Sequence, residues 1–338
     1  MSFKRLDPED ISISAESIVA PAWSGQVTTL STFFTSSNQV ATTSGLYYYD
    51  AYQSQVGTTG AAVQFSIAFG NRLGSGSANI NAGINGKTPS AITYGQYRTL
   101  INGDENTDFT FGTATPNSIY AISVNRSRFK EKLLPGTFSL TLTSGSNSIT
   151  ITDDSKISNT VSFIDAGRVY NLISGSAGTA VTTFNTSGYT FNSGSYGKLY
   201  PDVGILVLNG DALGAPAASG GLALNISTLA DTTTGNLSLM FNAVKQGANF
   251  TLQSEETITS NYVFVRVRNS EYNYSMNPSN ISGSGELRWD VMVNTPQTYI
   301  TTVGLYNDNN DLLGVAKLSR PLLKDFTKEA LVRIKLDY

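Results

Sequence analysis

Two-residue alternation of apolar and polar side chains, broken every few residues by turn formers, is the pattern that most limits the folds open to this chain. Phe138–Thr143 sets Phe, Leu and Leu against Ser, Thr and Thr; Gly145–Asn147 interrupts it, and Ser148–Thr152 resumes it. Side chains on a strand point to opposite faces with period two, so each run buries one face and the break between them makes a hairpin. Val63–Phe69 follows the same rule, and Ser118–Asn125 and Arg168–Gly175 also read as strands. Gly204–Asn209 is instead continuously apolar, as expected of a strand buried on both faces. The densest series is the last third: Thr257–Asn269, Tyr299–Tyr306, Leu312–Leu318 and Ala330–Tyr338, the last with Val332, Ile334, Leu336 and Tyr338 opposed to Arg333, Lys335 and Asp337. The expected fold is mainly β, with antiparallel β-sandwich-like domains and one or two short helices.

Two segments carry a helical period instead. Thr88–Ile101 places Ile92, Tyr97, Leu100 and Ile101 near one face, after Pro89 and a Ser90 cap. Asn236–Gly247 places Leu237, Met240, Phe241 and Val244 on one face, with Gly247 as the stop. No fixed-period repeat is visible, which argues against a solenoid or propeller.

Composition narrows the chemistry. Neither histidine nor cysteine occurs in the 338 residues. Disulfides and thiolate metal sites are therefore absent, as are the Ser-His and Cys-His nucleophile pairs and the usual zinc ligand. No cofactor or metal is expected. Charged residues make up 14% of the chain and the net charge is −3, which offers no general attraction to nucleic acid or an anionic membrane. No apolar run is long enough to span a bilayer, and Met1–Asp7 lacks a signal-peptide core, so synthesis in the cytoplasm is expected.

Three regions are expected: an N-terminal docking segment, 1–26; a β-rich body with loops and two helices, 27–250; and a C-terminal antiparallel β domain, 251–338, packed with the body. Ile11–Ser14 reads as one short strand fenced by Pro8 and Pro21, and Trp23 behind it must bury its ring in its own body or a neighbour's. Tyr47, Tyr48, Tyr49 and Tyr52 crowd one short run, which suits a half-buried strand, an interface anchor or a sugar-stacking platform. Gly70–Gly86 reads as an exposed loop; Gly86-Lys87-Thr88 is followed by Pro89 and lacks the upstream glycine of a phosphate-binding loop. Arg126, Arg128, Lys130 and Lys132 form the tightest basic cluster, and Arg126 and Arg128 are taken as interface residues in a salt-bridging turn.

Asp153 and Asp154 are adjacent and would face opposite ways on a strand, whereas a distant pair such as Glu271 with Asp290 leaves acid-base chemistry open. Asn307–Asp311 offers oxygen ligands but lacks the spacing of a calcium loop, and between two apolar strands it reads as a hairpin turn.

Arg126–Gly136, Asp153–Ser155, Gly167–Asn171, Tyr200–Ile205, Glu271–Pro278 and Gly304–Asp308, spread over about Ile119 to Tyr338, resemble the virion structural proteins of tailed bacteriophages. The likeness is to the large contractile-tailed phages and their cyanophage relatives, and the closing part is similar to the β domain of baseplate and tail-fibre attachment proteins. That resemblance implies a non-enzymatic subunit of a tail, baseplate or neck, located in the virion. Its partners would be other virion proteins and copies of itself in a symmetric ring, through Trp23, Tyr47–Tyr52, Arg126 and Arg128. Two alternatives stay open: a fibre or spike protein binding host-surface glycan through the tyrosines, and a polysaccharide depolymerase using paired carboxylates.

Overall fold

The computed structural model describes residues 3–36, 48–72, 89–158, 160–181, 196–226 and 233–337. In chain order its elements are β1 (Ile11–Pro21), β2 (Thr29–Leu30), β3 (Tyr48–Tyr52), β4 (Val63–Asn71), α1 (Pro89–Asn102), β5 (Ser118–Val124), β6 (Lys132–Leu133), β7 (Ser139–Ser144), β8 (Asn147–Asp153), β9 (Ser162–Ile164), β10 (Gly167–Ser176) and β11 (Thr179–Ala180). There follow β12 (Gly197–Tyr200), β13 (Ile205–Asn209), α2 (Gly210–Gly214), α3 (Thr233–Gly247), β14 (Phe250–Thr251), β15 (Gln253–Val267), α4 (Asp290–Asn294), β16 (Gln297–Tyr306), β17 (Leu312–Asp325) and β18 (Ala330–Asp337). Strands dominate, and the sheet pairings resolved residue by residue are antiparallel, so the chain is mainly β. The two helices legible in sequence are α1 and α3; α2 and α4 are single turns.

The chain divides into two compact units, Ile18–Glu256 and Met1–Ser17 with Thr257–Tyr338. The stretch 1–26 is shared between them: Leu6 packs on the small core of the second unit, while Trp23 lies in the core of the first.

In the larger unit one sheet runs β2-β14-β7-β8-β10-β12-β13-β5-β4-β3, with β9 and β11 attached to β10. Its ends approach each other. Phe34, just beyond β2, exchanges backbone hydrogen bonds of 2.9 and 2.8 Å with Tyr52 of β3, and α3 touches β7 as well as β3 and β4. The packed layers here are opposite walls of one curled sheet. Its inner face gathers Trp23, Phe65, Phe138 and Phe250 with Leu237, Met240 and Val244 of α3.

The outer face carries a second core, in which Tyr94 and Ile101 of α1 meet Ile119, Ile205 and Val207. The central strand β13 feeds both: Leu206 and Leu208 point inward, Ile205 and Val207 outward, which explains its unbroken apolar sequence. On α1 the buried face is Ala91, Tyr94, Arg98 and Ile101, rotated from the one expected, and Leu100 is exposed. Tyr94, at the middle of this face, sits against Gly70 of β4. A Cβ there would lie 2.9 Å from the Tyr94 Cα, so the glycine lets the helix backbone rest directly on the strand at that point.

In the smaller unit β15 pairs β18 from Ser260↔Asp337 to Val267↔Ala330. The hairpin β16–β17 forms a separate two-stranded sheet whose Val303, Leu305, Ala316 and Leu318 pack on Val263, Val332 and Ile334. β17 continues past Leu318 through Pro321 to Asp325. This is possible because the ladder jumps from Thr302↔Lys317 to Ile300↔Leu322, so Pro321 sits where no cross-strand partner needs its missing N–H.

Candidate functional site

The residues singled out in sequence as interface anchors are largely consumed by the larger unit itself. Trp23 is 2% exposed, its Nε1 donates to the Phe250 carbonyl at 2.8 Å, and its ring meets those of Phe250 and Phe65 at 4.8 and 6.1 Å. Tyr49 is buried with its hydroxyl 3.2 Å from Ser238 Oγ, Tyr52 is half-buried in β3, and Tyr48 alone of the three is exposed. Tyr47 lies outside the described residues, as does most of the Gly70–Gly86 loop. Arg126 lies over the Phe129 ring at 4.6 Å and donates to the carbonyls of Phe129 and Lys130, stapling its own turn. Arg128 donates to Ser24 Oγ and Ser127 Oγ.

Four of the motifs that carry the family resemblance converge in this unit. Both Asp153 carboxylate oxygens accept from Gly136 N, at 2.8 and 2.9 Å, and one also accepts from Ser155 N at 3.1 Å. Asp154 accepts from the backbone and side-chain nitrogens of Asn171, both at 2.9 Å. Arg168 grips Asp202 through Nε and Nη2, the shortest contact 2.6 Å, while the Arg168 backbone N–H donates to the same carboxylate at 2.7 Å. Leu133 N donates to Pro201 O at 3.0 Å. These carboxylates hold backbone in place and join segments that are distant in the chain.

The ionisation of Asp154 and Asp202 diverges for physical reasons. Burial pushes Asp154 above the usual carboxylate range. Burial acts in the same direction on Asp202, but the hydrogen bonds and charge of Arg168 outweigh it and hold Asp202 below its ordinary 3.8. The sign follows from linkage: a depressed folded pKa gives stability that is complete above the unfolded value and lost as pH falls through the folded one. Melting temperatures of the wild type and Asp202→Asn are therefore expected to differ most near neutrality and to converge as pH drops below 3.8. A gap that stays constant into acid would show that the ion pair contributes nothing.

The larger unit exposes scattered apolar side chains such as Phe163 and Leu100, but the longest run of them lies in the smaller unit. From Arg268 to Leu323 no residue is buried. Trp289, Val291, Val293, Tyr299, Leu313 and Val315 are each 60% exposed or more. A fully buried aromatic side chain covers roughly 150–250 Å². Together with the aliphatic side chains, this stretch thus leaves on the order of 800 Å² of apolar surface in water, an area like the share one partner brings to a standard protein interface.

The stretch is anchored at its root. Lys324 is fully buried and its Nζ donates to Asn273 Oδ1 at 2.6 Å, Asp325 O at 2.9 Å and Asn269 O at 3.1 Å. Glu271 accepts from Lys4 Nζ at 2.9 Å and Arg268 N at 2.8 Å, and Lys4 holds its carboxyl below the usual range. Asp290, its candidate catalytic partner in sequence, is exposed at the start of α4.

At the far end Asn307–Asp311 forms the hairpin turn, with Asn310 at φ 65°. Asp311 N donates to Asn307 Oδ1 at 2.8 Å, and Asn307 Nδ2 donates to Asp311 Oδ2 at 3.0 Å, so these side chains close the turn. On the outward face Tyr306 and Leu312 fold over Gly304, where a Cβ would meet Tyr306 Cε2 at 2.9 Å. Phe3 caps the tyrosine edge-on at 5.0 Å. A surface depression of about 340 Å³ lies between Asp10, Phe264, Arg266 and Glu329–Leu331, and its Arg266 and Glu329 are paired with each other at 3.5 Å.

The signal missed in sequence is in β16. Its ten residues, Gln297–Tyr306, are uncharged and free of proline, unusual for a strand with an open edge. No protein-family model, curated protein or solved structure matches this chain.

Proposed function

We infer that this chain is a non-enzymatic structural subunit of a tailed-bacteriophage virion, in the tail, baseplate or neck, working through packing against copies of itself and other virion proteins. The observation that carries the reading is the unburied stretch Arg268–Leu323, whose apolar area matches one partner's share of an interface. The resemblance of the motifs to virion proteins supplies the setting, and their convergence on backbone-fixing carboxylates suits a load-carrying scaffold. In this role Trp289 passes from water into a protein contact on assembly.

Purified particles from a phage encoding a tagged copy test it. The tag is expected at one symmetric level of the tail, baseplate or neck in a low-resolution reconstruction; particles that are infectious and lack the chain would end the reading. Release of reducing sugar from host polysaccharide by the isolated chain would replace it with a depolymerase, and intact particles that fail to adsorb when Tyr48 is altered would favour glycan binding.

A further inference from the structure

We propose that β16 pairs edge to edge and antiparallel with β16 of a second copy of this chain, about a two-fold axis between Thr301 and Thr302, joining two β16–β17 hairpins into one four-stranded sheet. The proposal gives the assembly reading a specific partner and rests on it only in treating this surface as one made for contact.

The first argument is incompleteness. β16–β17 is a two-stranded sheet with both outer edges unpaired among the described residues, and two-stranded ribbons are marginal in water. The second is the protection of the other free edges of this unit. The free edge of β17 carries Lys317, Arg320 and Pro321, and β18 carries Arg333, Lys335 and Asp337. Charges and proline are the usual devices that keep an edge from pairing, and β16 has none. β1 has Glu16 at its midpoint, so self-pairing about its centre would bring two carboxylates together.

The third argument selects a second copy over a different protein. Along β16 exposed and half-buried positions alternate as a palindrome, because the register irregularity between Ile300 and Thr302 reverses the alternation at the strand's centre. A two-fold there matches Ile300 with Val303, Thr298 with Leu305 and Tyr299 with Gly304, half-buried against half-buried and exposed against exposed. Antiparallel partners point to the same face, so each hairpin keeps its inner face on its own Val263, Val332 and Ile334. A regular strand of ten residues would set exposed positions against half-buried ones. Self-complementarity about a two-fold is what an isologous interface requires.

The absence of cysteine makes the test clean. In the full-length chain Thr301→Cys is expected to give a disulfide-linked dimer on mild oxidation, and Ser319→Cys, on the free edge of β17, to give none. Sedimentation of the wild type should show a dimer at roughly 100 μM, and Thr301→Lys, which sets like charges across the axis, should weaken it about tenfold or more. Thr301 is exposed and has no cross-strand partner in β17, so the melting temperature of the Thr301→Lys monomer serves as the folding control. A monomeric wild type, cross-linking at Ser319→Cys instead, or a dimer indifferent to Thr301→Lys overturns the pairing. A chain that is monomeric in solution yet present in particles would remove the pairing and leave the assembly reading standing; a β16 dimer missing from particles would do the reverse.

Discussion

Replacing Trp23 by alanine is expected to destabilise the larger unit by about 3–5 kcal/mol, the range for truncating a large buried aromatic. The ring sits between Phe250 and Phe65, with centroids 4.8 and 6.1 Å away, where the first residues of the unit meet β4 and β14. Truncation removes these contacts and leaves the Phe250 carbonyl without the indole donor now 2.8 Å away. Trp23→Phe keeps most of the volume and loses the hydrogen bond, so its cost should be smaller, about 1–2 kcal/mol. Denaturant titration followed by circular dichroism measures both. A Trp23→Ala loss below about 1 kcal/mol would mean that the inner core closes over the gap. Fluorescence offers a second readout, because the chain has two tryptophans: Trp23, buried, and Trp289, 60% exposed. Trp289→Phe should leave a blue-shifted, quencher-resistant emission from Trp23.

Asp153→Ala is expected to be as damaging, about 3–5 kcal/mol, although it removes only a carboxylate. Asp153 is fully buried, and its loss strips the acceptor from Gly136 N and Ser155 N in a place water does not reach easily. Each buried amide left unpaired costs roughly 1–3 kcal/mol, and bonds to a charged acceptor lie at the upper end. Asp153→Asn retains one carbonyl oxygen for Gly136 and should lose roughly half as much. Equal stability of Asp153→Ala and wild type in urea would show that the two segments are held together by packing alone.

Local order was legible in the sequence and long-range convergence was not. The hairpin Ser139–Asp153, the doubly buried strand Ile205–Asn209 and the apolar face of α3 follow from side-chain periodicity, because each element's own neighbours impose that period. The face of α1 is not legible from its own periodicity, since Ile92, Tyr97, Leu100 and Ile101 suggest one side while the contact with Gly70, distant in the chain, is made through Tyr94. Nothing in the motifs Arg126–Gly136, Asp153–Ser155, Gly167–Asn171 and Tyr200–Ile205 indicates that their side chains meet; the sheet order brings them together. Trp23 and the tyrosines stay open between core and interface at the level of sequence because bulky rings serve both equally well. Conversely, the apolar residues of β16 and β17 read as core strands, since alternation records that one face is apolar and not which molecule covers it.

The unburied stretch Arg268–Leu323 has a consequence for how this chain tolerates change. Outside Val303, Leu305, Ala316 and Leu318, which pack on the small core, and Asn273, which holds Lys324, substitutions at its exposed positions remove no interior contact, so a screen for folding or soluble yield should pass most of them, including polar replacements of Trp289 or Leu313 that raise yield by lowering stickiness. Any selection that preserves those side chains must then act through the assembled state. The residues with the weakest signature in a folding screen should have the strongest one in a screen for function.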